Sequence, residues 1–230
     1  MMNTQVKSEN NYKIENMIRV NVGCGQTPTK GWKNFDNSYS VRLAKIPFLP
    51  GLLLKTGLIL QGQYDYIRFV MNHSIEYGDI IKGLPLAESS AEVVYSSHVL
   101  EHLDQTEVKL YLKEARRILC NGGILRLVVP DLTMIINKYN MNHDADALIT
   151  ELYLSQPRPR TFAQRLRALI VGSRIHQWAY DGASLCLLLQ KNGFIEPKVC
   201  QPGSTGISDP GDLDLYERVD FSLYVEAKKG

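Results

Sequence analysis

A buried strand, an amphipathic helix and a second buried strand follow one another in the middle of the sequence. AEVVYSS (91–97) and ILRLVVP (124–130) are nearly continuous in apolar and β-branched residues, which is typical of strands covered on both faces. Between them, residues 104–119 carry one apolar stripe at helical spacing, and Asp104 with Glu107 matches a capping box. A strand–helix–strand unit of this kind predicts a parallel sheet with helices on its faces.

The rest of the chain supplies further elements for the same sheet. We predict strands at 18–23, 33–36, 74–80, 196–201 and 220–229, and a capped helix at 181–194. The last strand alternates apolar and polar residues, which favours antiparallel pairing at the end of the sheet. The expected fold is therefore an α/β domain with a seven-stranded, mostly parallel sheet, helices on both faces and an antiparallel last strand.

The predicted domain spans residues 18–230 and follows a flexible N-terminal tail over residues 1–17. Two insertions, at about 37–72 and 133–175, are assigned to a lid or acceptor region. We expect the glycine pair in Asn121-Gly122-Gly123 to end the central helix.

Composition narrows the class of protein. The chain has 230 residues, 44% of them hydrophobic, which suits one globular domain. Its 26 basic and 24 acidic residues leave a net charge of +2, which argues against a protein that coats nucleic acid. The four cysteines lack zinc spacing and favour a reduced, cytoplasmic protein. The N-terminus has no apolar signal segment, and the apolar run at 46–60 is too short and interrupted to span a membrane.

Small or acidic residues follow four consecutive predicted strands. The turn Gly23-Cys24-Gly25 follows the first strand, and Asp36, Asp79 and Ser97 end the next three. The carboxyl ends of parallel strands meet at one edge of the sheet, where such folds bind ligands. A carboxylate there can accept hydrogen bonds from both hydroxyls of a ribose. Each residue alone is explained by a turn or a cap, but together they favour a nucleoside-like ligand.

Three segments carry a family resemblance: GCGQTPTKGWKNFD (23–36), GDIIKGLPLAESSAEVVYSSHVLEHL (78–103) and EARRILCNGGILRLVVPDL (114–132). Together they resemble the class I S-adenosylmethionine-dependent methyltransferases, methyltransferase type 11 group, and its bacterial relatives linked to surface-saccharide metabolism. The resemblance implies a Rossmann-like fold, S-adenosylmethionine as cofactor, and a saccharide or another small metabolite as methyl acceptor.

The resemblance also implies which residues meet the cofactor and the transferred methyl group: Gly23, Cys24 and Gly25 at the methionine part, Asp36 at the ribose, Asp79 and Ile80 at the adenine, and Ser97 and His98 at the methyl-transfer site. One departure concerns the first crossover. Only ten residues separate Gly25 from Asp36, whereas a parallel crossover normally contains a helix. We therefore expect that helix to be missing or displaced into 37–72.

Several residues are candidates for binding the methyl acceptor or for removing its proton. His176 is the first candidate for a general base that removes a hydroxyl proton, and His98 is the second. Trp178 and Tyr180 are aromatic residues that can stack on a sugar or ring. The alternative for this segment is a structural cap, with Asp181 opening the following helix.

HVLEH (98–102) offers two interpretations. If the helix begins early, His98, Glu101 and His102 share one face. The resemblance then raises the alternative of a divalent ion that lowers the pKa of an acceptor hydroxyl. The other interpretation is a turn fixed by hydrogen bonds. Because magnesium prefers further oxygen ligands, we assign no metal here.

Two more segments leave alternatives open. The arginine-rich stretch 158–174, with Arg165 as our candidate for substrate binding, is either a lid helix with a solvated basic face or a clamp for a phosphorylated acceptor. The apolar segment 46–60 is a lid, a homodimer surface or an interfacial membrane contact.

Three rival functions remain. A nicotinamide-dependent dehydrogenase needs a third glycine after Gly25, and the sequence there is Gln-Thr-Pro. A non-catalytic protein that binds S-adenosylmethionine is the main alternative, since the cofactor loop is short. An RNA methyltransferase is less favoured, because the charge is balanced and no RNA-binding module is attached.

Overall fold

The computed structural model describes residues 17–155, 160–161, 165 and 175–230. Nearly all of the predicted N-terminal tail and most of the arginine-rich stretch lie outside these residues. The strands are β1 (Ile18–Val22), β2 (Lys33–Asp36), β3 (Ile75–Tyr77), β4 (Ala91–Ser97), β5 (Leu119–Pro130), β6 (Phe194–Cys200) and β7 (Ser222–Lys229). The helices are α1 (Tyr39–Leu43), α2 (Leu49–Lys55), α3 (Gln61–Met71), α4 (Gln105–Ile118), α5 (Leu132–Asn142), α6 (Ala145–Glu151) and α7 (Gly182–Lys191).

The seven strands form one sheet in the order β3-β2-β1-β4-β5-β7-β6. β7 runs antiparallel to both of its neighbours, and the other four adjacent pairings are parallel. The predicted seven-stranded sheet with an antiparallel last strand is confirmed. The strand order reverses between β1 and β4, and a crevice opens at the carboxyl ends of the strands at such a switch point.

Helix α4 begins as its sequence predicts. The Asp104 carboxylate accepts hydrogen bonds from the backbone N–H groups of Thr106 and Glu107, and the Glu107 side chain accepts one from the Asp104 N–H. This capping box satisfies backbone donors that have no partner inside the helix. The buried face of α4 then packs into the main core beneath the sheet.

The end of α4 differs from the prediction. The helix stops at Ile118, Leu119 is already extended, and residues 121–123 lie inside β5. The glycine at 123 serves strand packing, because a Cβ there would lie 3.1 Å from the carbonyl oxygen of Glu92 on β4. The expectation that these glycines end the helix was therefore wrong.

The first crossover contains no helix, as the ten-residue spacing predicts. β1 and β2 pair directly in parallel, and the loop between them is held by two asparagines. The Asn21 amide donates to Thr29 Oγ1, and Asn34 bonds both the N–H and the carbonyl of Thr29. Helix α3, from the insertion after β2, supplies Val70 to a small apolar cluster around Cys24. The insertion thus covers part of the sheet that a first crossover helix would normally cover.

The far side of the sheet contains a buried ion pair. Arg126 on β5 is fully buried and donates to Glu226 on β7 at 2.7 Å. The same carboxylate accepts hydrogen bonds from the Thr205 hydroxyl and the Gly206 N–H. This network joins the central strands to the loop that follows β6.

Among the described residues, no helix has the length and apolar character needed to cross a bilayer. All four cysteines are unpaired. In the apolar segment 46–60, Phe48 is 93% exposed.

Candidate functional site

A cavity of about 980 Å³ opens at the carboxyl ends of β1, β2, β3 and β4. It lies at the switch point of the sheet and has a size typical of small-molecule sites, roughly 300–1,000 Å³. Six of the residues predicted to form the site line it: Gly23, Gly25, Asp36, Asp79, Ile80 and His98. The structure therefore brings together residues that are far apart in the sequence.

The glycine turn after β1 places backbone at the cavity wall. Gly23 has φ = +71°, and a Cβ on it would lie 2.3 Å from Val99 Cγ2, so a larger residue would clash. Gly25 has φ = +50° and faces open space. Cys24 lies between them, but its side chain is buried in the apolar cluster and does not line the cavity. Burial, followed by the charge of Asp36, raises the pKa of the Cys24 thiol to about 12.

Asp36 is held beside the glycine turn. Its Oδ2 accepts a hydrogen bond from the Gly25 N–H at 3.2 Å, and its Oδ1 accepts one from the Ser38 N–H at 2.8 Å. Each carboxylate oxygen can accept more than one hydrogen bond. Asp36 therefore retains the capacity to bind two hydroxyl groups of a ligand in the cavity. The short loop between β1 and β2 is what brings it this close to Gly25.

The end of β3 supplies the next wall. Asp79 Oδ1 accepts a hydrogen bond from the Ile81 N–H, and its Oδ2 lies 2.8 Å from Lys82 Nζ. Ile80 is 4% exposed and presents an apolar surface to the cavity. A carboxylate beside an apolar side chain suits a ring that carries an amino group.

Helix α3 and the residue before it form a further wall, for which the sequence indicated the insertion 37–72 but no individual residue. Leu60, Gly62, Gln63 and Tyr66 line the cavity, although the insertion carries no recognisable motif. Gln63 Oε1 is buried and, within the described part of the chain, has no hydrogen-bond partner. Such an acceptor is costly to leave unpaired, which indicates a place for a ligand's donor group.

His98 lines the cavity directly after β4. Its backbone has φ = +53°, and its N–H donates to the carbonyl of Val128. Nδ1 lies 3.2 Å from Glu101 Oε1, and Nε2 lies 3.1 Å from the hydroxyl of Ser222. The imidazole is thus oriented from both sides. Ser97, the preceding residue, does not line the cavity.

HVLEH does not form the first turn of a helix that brings His98, Glu101 and His102 onto one face. Residues Leu100–His102 instead form a short 3₁₀ turn. This turn brings Glu101 and His102 to His176, which comes from the segment before α7, and a ligand atom of each residue lies within 4.8 Å of the others. His102 lines the cavity, and His176 packs behind it with ring centroids 4.9 Å apart.

His176, the first candidate for the general base, is not among the residues that line the cavity. Burial lowers the pKa of its imidazole; the nearby His102 and His98 lower it further, while Glu101 opposes the shift. Its position therefore makes it a neighbour of the cavity rather than part of the wall.

The predicted acceptor residues are spread over different environments. Tyr180 is 2% exposed and packs in the main core, so its ring has no face available for stacking on a ligand. Trp178 is 49% exposed and lies outside the cavity wall. Arg165 is exposed, and its N–H donates to the carbonyl of Thr161. Most other residues of the arginine-rich stretch lie outside the described part of the chain.

One family model matches the central part of the chain. The family model described as a methyltransferase domain matches residues 65–127, which run from α3 into β5 and include Asp79 and His98. The predicted resemblance to class I S-adenosylmethionine-dependent methyltransferases is confirmed. The match implies S-adenosylmethionine as the cofactor. Among curated proteins, none matches the chain.

Solved structures of S-adenosylmethionine-dependent methyltransferases are similar to the domain. One from Methanosarcina mazei is 14% identical, with 94% of this chain and 93% of that chain covered and a TM-score of 0.49. One from Archaeoglobus fulgidus is 16% identical, with 98% and 94% covered and a TM-score of 0.47. One from Mesorhizobium loti is 15% identical, with 93% and 92% covered and a TM-score of 0.46.

The residues that line the cavity fit S-adenosylmethionine, the cofactor that the family match implies. The open space beside Gly25 admits a ligand close to the backbone, and the unpaired Gln63 Oε1 offers an acceptor for an amino or hydroxyl group. The carboxylates of Asp36 and Asp79 lie on neighbouring walls. A nucleoside that carries a charged amino acid needs this combination of acceptors and apolar surface.

Proposed function

We propose that the chain transfers a methyl group from S-adenosylmethionine to a hydroxyl of a saccharide or another small metabolite. The observation that supports this most is the cavity at the switch point, which is lined by Gly25, Asp36 and Gln63 and also by His98 and His102. The first three offer groups for a nucleoside, and the two histidines offer imidazoles for an acceptor.

The proposed cofactor contacts follow the walls of the cavity. Asp36 would accept hydrogen bonds from the ribose hydroxyls, and Asp79 would accept one from the adenine amino group beside Ile80. The turn from Gly23 to Gly25 would hold the methionine part. When bound, S-adenosylmethionine supplies a methyl group on a positively charged sulfur, which is already an activated electrophile.

The protein's part in the chemistry is to orient the acceptor and to remove its proton. We propose His98 as the base, because it lines the cavity. His176 contacts His102 but does not line the cavity. The Glu101 carboxylate beside Nδ1 favours the tautomer that carries a proton on Nδ1, which leaves Nε2 as the basic nitrogen. Nε2 shares a hydrogen bond with the Ser222 hydroxyl.

The acceptor class is supported by the size of the cavity and by the resemblance to methyltransferases of saccharide metabolism. The balanced charge favours a small acceptor over RNA. The four unpaired cysteines suit a reduced compartment, and we propose that the protein acts in the cytoplasm.

A labelled-methyl assay tests the proposed function against its alternatives. The protein is incubated with S-adenosylmethionine carrying a labelled methyl group, together with a small-molecule extract that contains sugars and nucleotide-sugars, and separately with total RNA. We expect label in the small-molecule fraction, since the cavity has the volume for such an acceptor. Label in RNA would support an RNA methyltransferase. Bound cofactor without transfer to either fraction would support the non-catalytic alternative.

A further inference from the structure

Glu101, His102 and His176 form a cluster beside the cavity, and His102 lines the cavity wall. Their candidate ligand atoms all lie within 4.8 Å of one another. The backbone fixes this approach, because the N–H groups of Gln177 and Trp178 both donate to the carbonyl of Glu101, at 2.6 and 3.2 Å. The segment that carries His176 is thus anchored to the 3₁₀ turn that carries the other two side chains.

The Glu101 carboxylate is buried without satisfied hydrogen bonds. The residue is 1% exposed, and neither of its carboxylate oxygens accepts a hydrogen bond from the described residues. The close nitrogen is Nδ1 of His98, 3.2 Å from Oε1. Burying a carboxylate in this way is costly unless a positive group compensates it. A cation between Glu101 and the two imidazoles would provide that compensation.

The surroundings of the two histidines suit metal ligands. His102 Nδ1 lies 3.4 Å from the carbonyl oxygen of Ile175, which leaves its Nε2 for another partner. Metal-bound histidines commonly use their second nitrogen in this way. The ring of His176 packs against Tyr153, with centroids 4.9 Å apart, and its backbone N–H donates to the Tyr153 carbonyl at 3.4 Å.

We propose that Glu101, His102 and His176 bind a divalent transition-metal ion of the zinc, manganese or iron class. Two imidazoles and one carboxylate are ligands that these ions accept, whereas magnesium and calcium prefer sites built of oxygen. Three protein ligands leave a coordination position open for a further oxygen. Because His102 lines the cavity, a ligand in the cavity could supply that oxygen.

The consequence for the acceptor rests on the proposed function, whereas metal binding does not. A metal at this place would bind an acceptor oxygen and lower the pKa of its hydroxyl. The proton would then pass to His98, which adjoins the cluster through Glu101. The proposed metal site would therefore favour acceptors with a hydroxyl group that can coordinate the metal.

Metal titration of the untagged full-length chain tests the proposal. After dialysis against a chelator, Zn²⁺, Mn²⁺ and Mg²⁺ are each titrated by calorimetry, and Co²⁺ is followed by its visible absorption. We expect about one Zn²⁺ per chain and little binding of Mg²⁺. His176→Gln should weaken Zn²⁺ binding at least about tenfold and change the Co²⁺ spectrum. The exposed His143 lies outside the cluster, so His143→Gln is the matched control.

The outcomes separate the two proposals. Failure of Zn²⁺, Mn²⁺ and Co²⁺ to bind, or Zn²⁺ binding that His176→Gln leaves unchanged, would overturn the metal site. Glu101→Gln, with folding checked by circular dichroism, provides a second variant that should also lose Zn²⁺. Metal binding in a protein that transfers no methyl group would leave the site standing and contradict the proposed function.

Discussion

Replacing His98 with asparagine is expected to lower methyl-transfer turnover by a factor of about 10²–10⁴, the usual contribution of a general base. Asparagine tolerates the positive φ of this position, and its polar amide can take the place of the imidazole beside the Glu101 carboxylate. It has no nitrogen that takes up a proton near neutral pH. The variant therefore removes the basic group while it keeps the backbone and a polar group beside the carboxylate.

Single-turnover kinetics with a methyl acceptor, together with the cofactor Kd, check this expectation. The cofactor Kd should change little, because the proposed cofactor contacts lie on other walls. His143→Asn is the matched control, since His143 has the same φ of +53° and is exposed outside the cavity. Turnover of His98→Asn close to that of the control would remove His98 from the role of base.

Replacing Glu226 with alanine is expected to reduce the free energy of unfolding by about 3–5 kcal/mol. The change removes the carboxylate that neutralises Arg126, so a guanidinium remains buried without its ion pair. It also removes the acceptor for the Thr205 hydroxyl and the Gly206 N–H. The penalty is large because the fully buried guanidinium of Arg126 cannot reach water.

Urea unfolding at neutral pH measures this effect. Glu196→Ala is the matched control, because Glu196 on the neighbouring strand β6 also forms an ion pair, with Lys228, but is exposed. Its unfolding midpoint should stay within experimental error of the wild type. Equal midpoints for both variants would show that the buried pair contributes no more than a surface pair.

The Glu226 carboxylate makes the free energy of unfolding depend on pH. Burial opposes ionisation of Glu226, but hydrogen bonds from Thr205, Gly206 and Arg126 outweigh it and hold its pKa below the ordinary value of 4.5. A carboxyl group whose pKa is lower in the folded than in the unfolded protein stabilises the fold. Its full contribution is present when the pH is above the pKa of the unfolded state, and it is lost as the pH falls through the pKa of the folded state. The difference in stability between wild type and Glu226→Gln should therefore shrink as the pH falls below 4.5.

Much of the fold could be predicted from local sequence. The strand limits of β2 and β4 coincide with the predictions, because β-branched and apolar runs there are bounded by loop or polar residues. Asp104 and Asp181 mark the starts of α4 and α7, since each caps its helix with a side chain. Parallel strands also place their ends together, which is why Asp36 and Asp79 reach one cavity.

The rest depends on contacts between distant segments. Nothing near His176 indicates that its loop returns to Glu101, because the anchoring hydrogen bonds use backbone groups. The ring of Tyr180 is buried in the main core. The sequence around it has no regular spacing of apolar residues that would predict this burial. Gln63 lines the cavity because α3 packs beside the glycine turn. The first crossover contains no helix there.

Calorimetric titration with S-adenosylmethionine tests the central claim, that this cavity binds the cofactor through Asp36. We expect wild-type protein to bind about one equivalent, and Asp36→Asn to weaken binding roughly 10–150-fold, as expected when a hydrogen bond to a charged group is lost. Glu76→Gln, an exposed carboxylate change on the neighbouring strand β3, should bind like the wild type. No binding by the wild type, or equal affinity in the Asp36 variant, would contradict the account.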